Sequence, residues 1–306
     1  MKRTFGVRVM EGWMRLHGLL PLGYHRWWGR VLGGLMRSVF HYRYDVVMTN
    51  LSRSFPEKDY EEIRTICKQF YTHLGTIFTT MLWFGACTGD KGRKRLIDSH
   101  IVEITNPEEL GRMVDKSTQA IVLHTHMGNW ELLSGLGQYG YTHPFPLTAT
   151  EVGITYKKLH SKFWDTIVAD NRQAPVKDVP GMEGYIESRD VVRRVLSGRG
   201  KRYIYLFNTD QFPYEASAKN MPITFMHQPT ATMTAAAGLA KKLGIGVVYL
   251  RYFCREDGGY TITFVPITDN AAETSVEAIM TRYYELLEAD LRVQPWNYLW
   301  THKRWK

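Results

Sequence analysis

Apolar and polar positions alternate in blocks that mark out most of the chain. Ala120 to Leu123 run without a polar break into His124-Thr125-His126-Met127-Gly128-Asn129, then Trp130-Glu131-Leu132-Leu133. Residues 119–134 therefore predict a short buried strand, a turn at Gly128-Asn129 and a helix from Trp130 with Asn129 as its N-cap. Ahead of this stretch, residues 9–20 and 26–40 carry leucine-rich faces opposite arginines, as in amphipathic helices. A long helix follows Phe55-Pro56-Glu57, with Ile63, Ile66, Phe70, Leu74, Ile77 and Met81 at spacings of three and four. Asn106-Pro107-Glu108-Glu109 has the form of a helix N-terminus, with Asn106 in the capping position.

Beyond residue 134, Phe145–Thr150 reads as a strand, Tyr156–Val168 as a basic aromatic helix and 174–184 as a Pro/Gly-marked loop. Val191–Leu196 reads as helix and Arg202–Phe207 as a strand that ends in Asn208-Thr209-Asp210-Gln211. A threonine-rich turn (225–234), an alanine-rich helix (235–243), a strand (247–252) and an alternating edge strand (261–265) come next. Val276, Ile279, Met280, Tyr283 and Leu287 stripe a last helix before a tail rich in tryptophan and basic residues, expected to dock on the core with its basic side outward. Helices and strands interleaved in this way predict an α/β fold.

The strand–turn–helix stretch also carries the candidate chemistry. His126 and Glu131 flank the bend with four residues between them, so the turn can bring imidazole and carboxylate together. A carboxylate in a first helical turn stays ionised and can hold one ring nitrogen while the other takes a proton. Two other readings fit the same residues. One is a core histidine beside a capping glutamate; the other is a metal held by His124, His126 and Glu131, with the two histidines on one strand face.

Composition narrows the choice of class. At 306 residues and 44% hydrophobic content, without linker, repeat or low-complexity segment, a single domain spanning 1–306 is expected: a basic membrane-proximal part (1–45) and a core (46–306). Cys67, Cys87 and Cys254 are too few and too scattered for a disulfide framework or a metal knuckle. The net charge is +9, and residues 1–56 hold nine Lys/Arg against Glu11 and Asp45. Trp13, Tyr24, Trp27, Trp28 and Tyr42 among those cations suit a membrane interface, although an ordinary solvated surface has the same look. No stretch has the uncharged length of a bilayer span; Leu74–Cys87 comes nearest and continues a helical pattern. Nucleic-acid-binding signatures are missing, which argues against that partner.

His-Met-Gly-Asn-Trp-Glu (126–131) is similar to the histidine, four residues, acid signature of the lysophospholipid acyltransferase superfamily. From about residue 40 onward the chain resembles its bacterial lipid A secondary acyltransferase branch. Other matching stretches are Asn50-Leu51, Ser54-Phe55-Pro56-Glu57, Asp210-Gln211, Gln228-Pro229-Thr230-Ala231-Thr232 and the ending Trp300-Thr301-His302-Lys303-Arg304-Trp305-Lys306. Met127, Thr209, Phe212-Pro213 and His227 depart from the usual pattern.

The resemblance implies a glycerolipid-acyltransferase-like α/β fold with a mixed central sheet flanked by helices, here following the N-terminal amphipathic helices read from the pattern. It also implies acyl transfer from acyl carrier protein or coenzyme A to a hydroxyl of an anionic lipid A precursor, without cofactor or metal. The location implied is the cytoplasmic face of the bacterial inner membrane. By the same resemblance His126 is the base and Glu131 its partner, with Asn129, Arg189, Asp210, Gln211 and Thr230 near substrate. Arg189 also reads as a solvated charge at a helix end. Alternatives are a lysophospholipid or aminolipid acceptor, thioester hydrolysis, and a non-enzymatic basic membrane-binding protein.

Overall fold

The structure is a computed structural model that describes residues 4–139, 143–182, 185–213 and 221–305. Lys2, Arg3 and Lys306 of the basic ends, and the last two residues of the expected 174–184 loop, lie outside the described residues.

The chain opens with α1 (Phe5–Gly18), α2 (Leu22–Ser38), α3 (Tyr44–Ser54), α4 (Tyr60–Gly85) and α5 (Gly89–Asp98). Strand β1 (Val102–Ile104), helix α6 (Pro107–Ser117) and strand β2 (Gln119–His124) lead to the turn. Next come β3 (Val152–Tyr156), α7 (Lys162–Arg172), β4 (Tyr185–Glu187), α8 (Val191–Ser197) and β5 (Tyr203–Asn208). The last part holds β6 (Met221–Phe225), β7 (Gln228–Thr232), α9 (Ala235–Leu243), β8 (Gly246–Cys254), β9 (Tyr260–Thr268) and α10 (Val276–Val293).

Seven strands form one mixed sheet in the order β1-β9-β8-β2-β5-β3-β4, while β6 and β7 make a separate hairpin. All neighbours in the large sheet are parallel except β8 and β9, which run antiparallel. β2 is central and all six of its residues are buried, which is why it reads as an unbroken apolar run. Its side chains divide between two cores. Ile121 and Leu123 join Tyr205, Phe207, Val247 and Tyr249 under α4, α9 and α10, whereas Ala120 and Val122 join Ile204, Leu206, Val248 and Leu250 on the other face.

Helix α4 is the long buried helix expected after Phe55-Pro56-Glu57, and Leu74–Cys87 falls largely inside it. No helix among the described residues is long and apolar enough to cross a membrane. α2 lies against α4 with almost no side chain between them. A Cβ on Gly33 would come within 2.1 Å of the Tyr71 carbonyl oxygen, and one on Gly75 within 2.2 Å of the Gly29 carbonyl oxygen. The outer faces of α1 and α2 leave Trp13, Leu16 and Trp27 more than half exposed.

Several elements differ from the sequence expectation. Residues 145–150 are not a strand: Pro144 and Pro146 interrupt the ladder, and the strand forms at Val152–Tyr156. The basic aromatic helix therefore starts later, at Lys162, with the Ser161 hydroxyl accepting from Trp164 N, and runs to Arg172. Asn106 does not cap α6 through its side chain; its amide clasps Phe264, donating to the carbonyl and accepting from the N–H, each at 2.8 Å. β9 is no edge strand, because three-residue β1 pairs along its outer side. The helix after the turn is wound as 3₁₀ over Trp130–Gln138, where Gly135 and Gly137 weaken the α preference.

The tail docks as expected. Trp300 is fully buried, and its carbonyl and that of His302 accept from Asn50 Nδ2 at 2.8 and 3.0 Å. Arg304, expected on a basic outer face, is instead buried, donating to Tyr284 Oη (2.9 Å) and to Thr230 Oγ1. It sits inside because those two oxygens receive its donors and the rings of Phe225 and Tyr284 flank it.

Candidate active site

The parallel ladder between β2 and β5 matches His124 with Asn208 as its last pair. Each strand then continues for two residues into a loop, so His126 and Asp210 arrive side by side at the carboxyl ends of neighbouring strands, where open α/β sheets form their crevices. His126 Nδ1 lies 2.8 Å from Asp210 Oδ1, and the His126 backbone N–H donates to Oδ2 at 3.0 Å. Asp210 is 1% exposed. Burial alone would raise its pKa, but the imidazole's charge and these hydrogen bonds outweigh burial and hold it down at about 2. The carboxylate is ionised, so Nδ1 carries the proton that it accepts.

With Nδ1 as donor, Nε2 is the lone-pair nitrogen. The side-chain amides of Asn208 and Gln211 donate to it at 3.1 and 3.0 Å. The Trp130 ring meets the imidazole edge-on, with centroids 5.1 Å apart, and fixes its plane. His126, Asn208, Gln211 and Trp130 all line a cavity of about 340 Å³ whose walls include Leu133, Ile154, Tyr185 and Met233. Its size and mostly apolar wall suit a small-molecule or acyl site.

Glu131 has a different partner from the one expected. Arg172, at the end of α7, grips it with two hydrogen bonds of 2.6 Å, and Trp130 Nε1 donates to it at 3.0 Å. A planar guanidinium matches both carboxylate oxygens at once, and so outcompetes a single imidazole nitrogen for a buried acid. Glu131's charge keeps Arg172 above its ordinary pKa despite burial. Arg172 lines the cavity. The acid in the turn thus holds a cation in the wall of the cavity that the histidine also lines, and the histidine takes its own acid from the next strand.

The turn is held from below. Gly128 has φ of +64° and a Cβ there would lie 2.4 Å from the Tyr252 ring, so the position demands glycine. Its N–H donates to Asn297 Oδ1 at 2.7 Å and its carbonyl oxygen is 3.1 Å from His73 Nε2. Tyr283 donates to the His124 carbonyl, Tyr284 to that of Thr209 and Tyr298 to that of Asp210, so α10 and the tail brace both loops.

A model described as bacterial lipid A biosynthesis acyltransferase matches residues 1–306, the whole chain. The chain belongs to the bacterial lipid A biosynthesis acyltransferase family. It is an acyltransferase enzyme, and its reaction joins an acyl donor to a lipid acceptor. No individually curated protein matches it closely enough to count as a relative.

In this lipid A acyltransferase family member the predicted site residues other than Glu131 separate into three groups. His126, Asp210 and Gln211 come together at the cavity. Asn129 lies beneath them, fully buried; its side chain accepts from Glu131 N at 3.3 Å and donates to Thr80 at 2.9 Å, which makes it the cap expected. Arg189 and Thr230 are not at the cavity. Arg189 has a side chain 70% exposed and pairs with Glu187 at 3.0 Å, and Thr230 holds Arg304 of the docked tail. The arrangement of His124, His126 and Glu131 as metal ligands is not formed, since Glu131 is occupied by Arg172 and Trp130. Among the described residues no group of three His, Cys, Asp or Glu could hold a metal ion.

Sequence reasoning did not single out Arg172 or Asn208. Asn208 stood in the polar cluster ending β5, and strand register was the signal for it. Arg172 closes a helix 41 residues from its partner Glu131, and no local pattern marks it.

Proposed function

We propose that the protein transfers a fatty acyl chain from the thioester of acyl carrier protein or coenzyme A to a hydroxyl of a lipid A precursor, with His126 as general base. The observation that carries this reading is the pairing of His126 with Asp210: both carboxylate oxygens are engaged by His126, which places the proton on Nδ1 and leaves Nε2 as an acceptor beside the cavity-lining amides of Asn208 and Gln211. The acceptor hydroxyl takes the position now filled by an amide of Asn208 or Gln211, and Nε2 removes its proton as the oxygen attacks the thioester carbonyl. Asp210 stabilises the imidazolium. The tetrahedral intermediate then expels the thiolate, which takes the proton back from Nε2, leaving an ester and a free thiol. The displaced amides and Arg172 supply donors and positive charge for the oxyanion or for an anionic headgroup.

This mechanism needs no covalent acyl-enzyme. Cys254 and Cys87 are pushed well above the usual thiol range by burial and do not line the cavity, which fits direct transfer. The exposed tryptophans and leucines of α1 and α2 among arginines support attachment to the cytoplasmic surface of the inner membrane.

The test is transfer by purified protein offered a panel of acyl thioesters and lipid acceptors, read by mass spectrometry. His126→Ala is expected to lose at least about a hundredfold in rate with its fold intact. Near-normal transfer by that variant eliminates the mechanism, and free fatty acid without acylated lipid marks a hydrolase instead.

A further inference from the structure

A second cavity of about 450 Å³ shares no described lining residue with the one at His126. It lies between α2, α4 and the turn joining β8 to β9. Arg26 and Arg30 enter it from one face of α2, Lys68 from α4 and Arg255 from the turn, and none of its described lining residues is acidic. Arg255 is neutralised by Asp257 at 3.0 Å and Glu103 at 3.4 Å. Arg26, Arg30 and Lys68 make no side-chain hydrogen bond or ion pair among the described residues, and the Nε of Arg26 is buried without a partner. Asp257, already bonded to Arg255, also attracts Arg26, but Arg255 and Arg30 oppose that charge and burial strips its hydration, so an anion in the hollow relieves both costs.

The floor is aromatic. Tyr260 is buried there, and Trp296 meets the His73 ring edge-on with centroids 5.3 Å apart. On α2 the same stretch that supplies Arg26 and Arg30 carries exposed Tyr24, Trp27 and Trp28, continuous with exposed Trp13 and Leu16 of α1. Cations inside a hollow, beside a row of aromatic side chains that sit well at a lipid interface, fit an amphiphile with a phosphate head.

We propose that this cavity binds the phosphate-bearing headgroup of a membrane lipid, with Arg26, Arg30 and Lys68 taking the phosphate oxygens and Trp296 and Tyr260 packing against the glycerol and first acyl carbons. The site is separate from the acyl-transfer cavity, and its test needs no acyl donor, so it stands or falls independently of the role given to His126.

The experiment is isothermal titration calorimetry of the full chain at fixed salt with dihexanoyl phosphatidic acid kept monomeric, run beside dihexanoyl phosphatidylcholine and inorganic phosphate. Saturable binding of the phosphatidic acid is expected, weakened at least tenfold in R26Q/K68Q and kept within about threefold in the charge-conserving R26K/K68R. R8Q/R53Q, which removes two charges elsewhere, is expected to bind normally. If R26Q/K68Q fails to fold, R30Q alone, at an exposed side chain, gives the same comparison with a loss of at least threefold. Undiminished binding in folded R26Q/K68Q, or in R30Q, overturns the proposal, as does equal binding of the phosphatidylcholine. Equally tight inorganic phosphate overturns the lipid assignment and leaves a site for free phosphate.

Discussion

His126 and Asp210 each stand two residues beyond a matched pair on adjacent parallel strands, His124 opposite Asn208, and the 2.8 Å contact between them follows from that register. The carboxylate that fixes the imidazole therefore comes from a loop 84 residues away in the chain. The nearby Glu131 is committed to Arg172.

The two acids are expected to behave differently when neutralised. Asp210→Asn removes the acceptor that keeps the proton on Nδ1, and should reduce kcat by on the order of 10²–10⁴ while changing the acid limb of the pH–rate profile. Glu131→Gln leaves Arg172 buried without its counter-charge; it should cost about 3 kcal/mol of stability and raise KM, with the acid limb unmoved. Steady-state kinetics over pH separates them, and a shifted acid limb in Glu131→Gln would return the orienting role to that residue.

Gly128→Ala tests the geometry of the bend. A methyl group there meets the Tyr252 ring at 2.4 Å on a backbone with φ of +64°, so a stability loss of about 2–4 kcal/mol and a fall in transfer are expected together. Thermal unfolding and the transfer assay read the two effects, and an unperturbed Tm would contradict the packing described.

Burial keeps the imidazoles of His73 and His124 neutral in the folded protein, lowering each to about 4. In the unfolded chain both titrate at about 6.5. Between these values the unfolded state binds more protons, so the stability is fully present above pH 6.5 and declines as pH falls towards 4. Urea unfolding at pH 7.5 and 5 should differ by roughly 1–2 kcal/mol per histidine. His73→Gln, which can still donate to the Gly128 carbonyl, should remove its share, and the same drop in that variant would assign the dependence elsewhere.

The outer face of α1 and α2 is expected to carry the protein's attachment to lipid. Trp13→Ala/Leu16→Ala/Trp27→Ala should lower co-sedimentation with vesicles containing phosphatidylglycerol by roughly tenfold, and high salt should weaken the binding of both proteins. Unchanged partition of the triple variant would leave that face an ordinary solvated surface.

Much of this protein was decided locally. The unbroken run Ala120–Leu123, the three-to-four spacing from Ile63 to Met81 and the glycine after Met127 suffice for a buried strand, a long packed helix and a tight bend, because each reflects a period or a backbone conformation that neighbouring residues impose. The same locality made His126 conspicuous and let the chain's resemblance name its family. Which acid holds which base was not local. It depends on β2 and β5 lying next to each other in one register, and on a guanidinium from the end of α7 matching Glu131 better than an imidazole can. Side-chain partners across a sheet are chosen by strand order and by competition for buried charge, and neither is written in the spacing of residues along one segment.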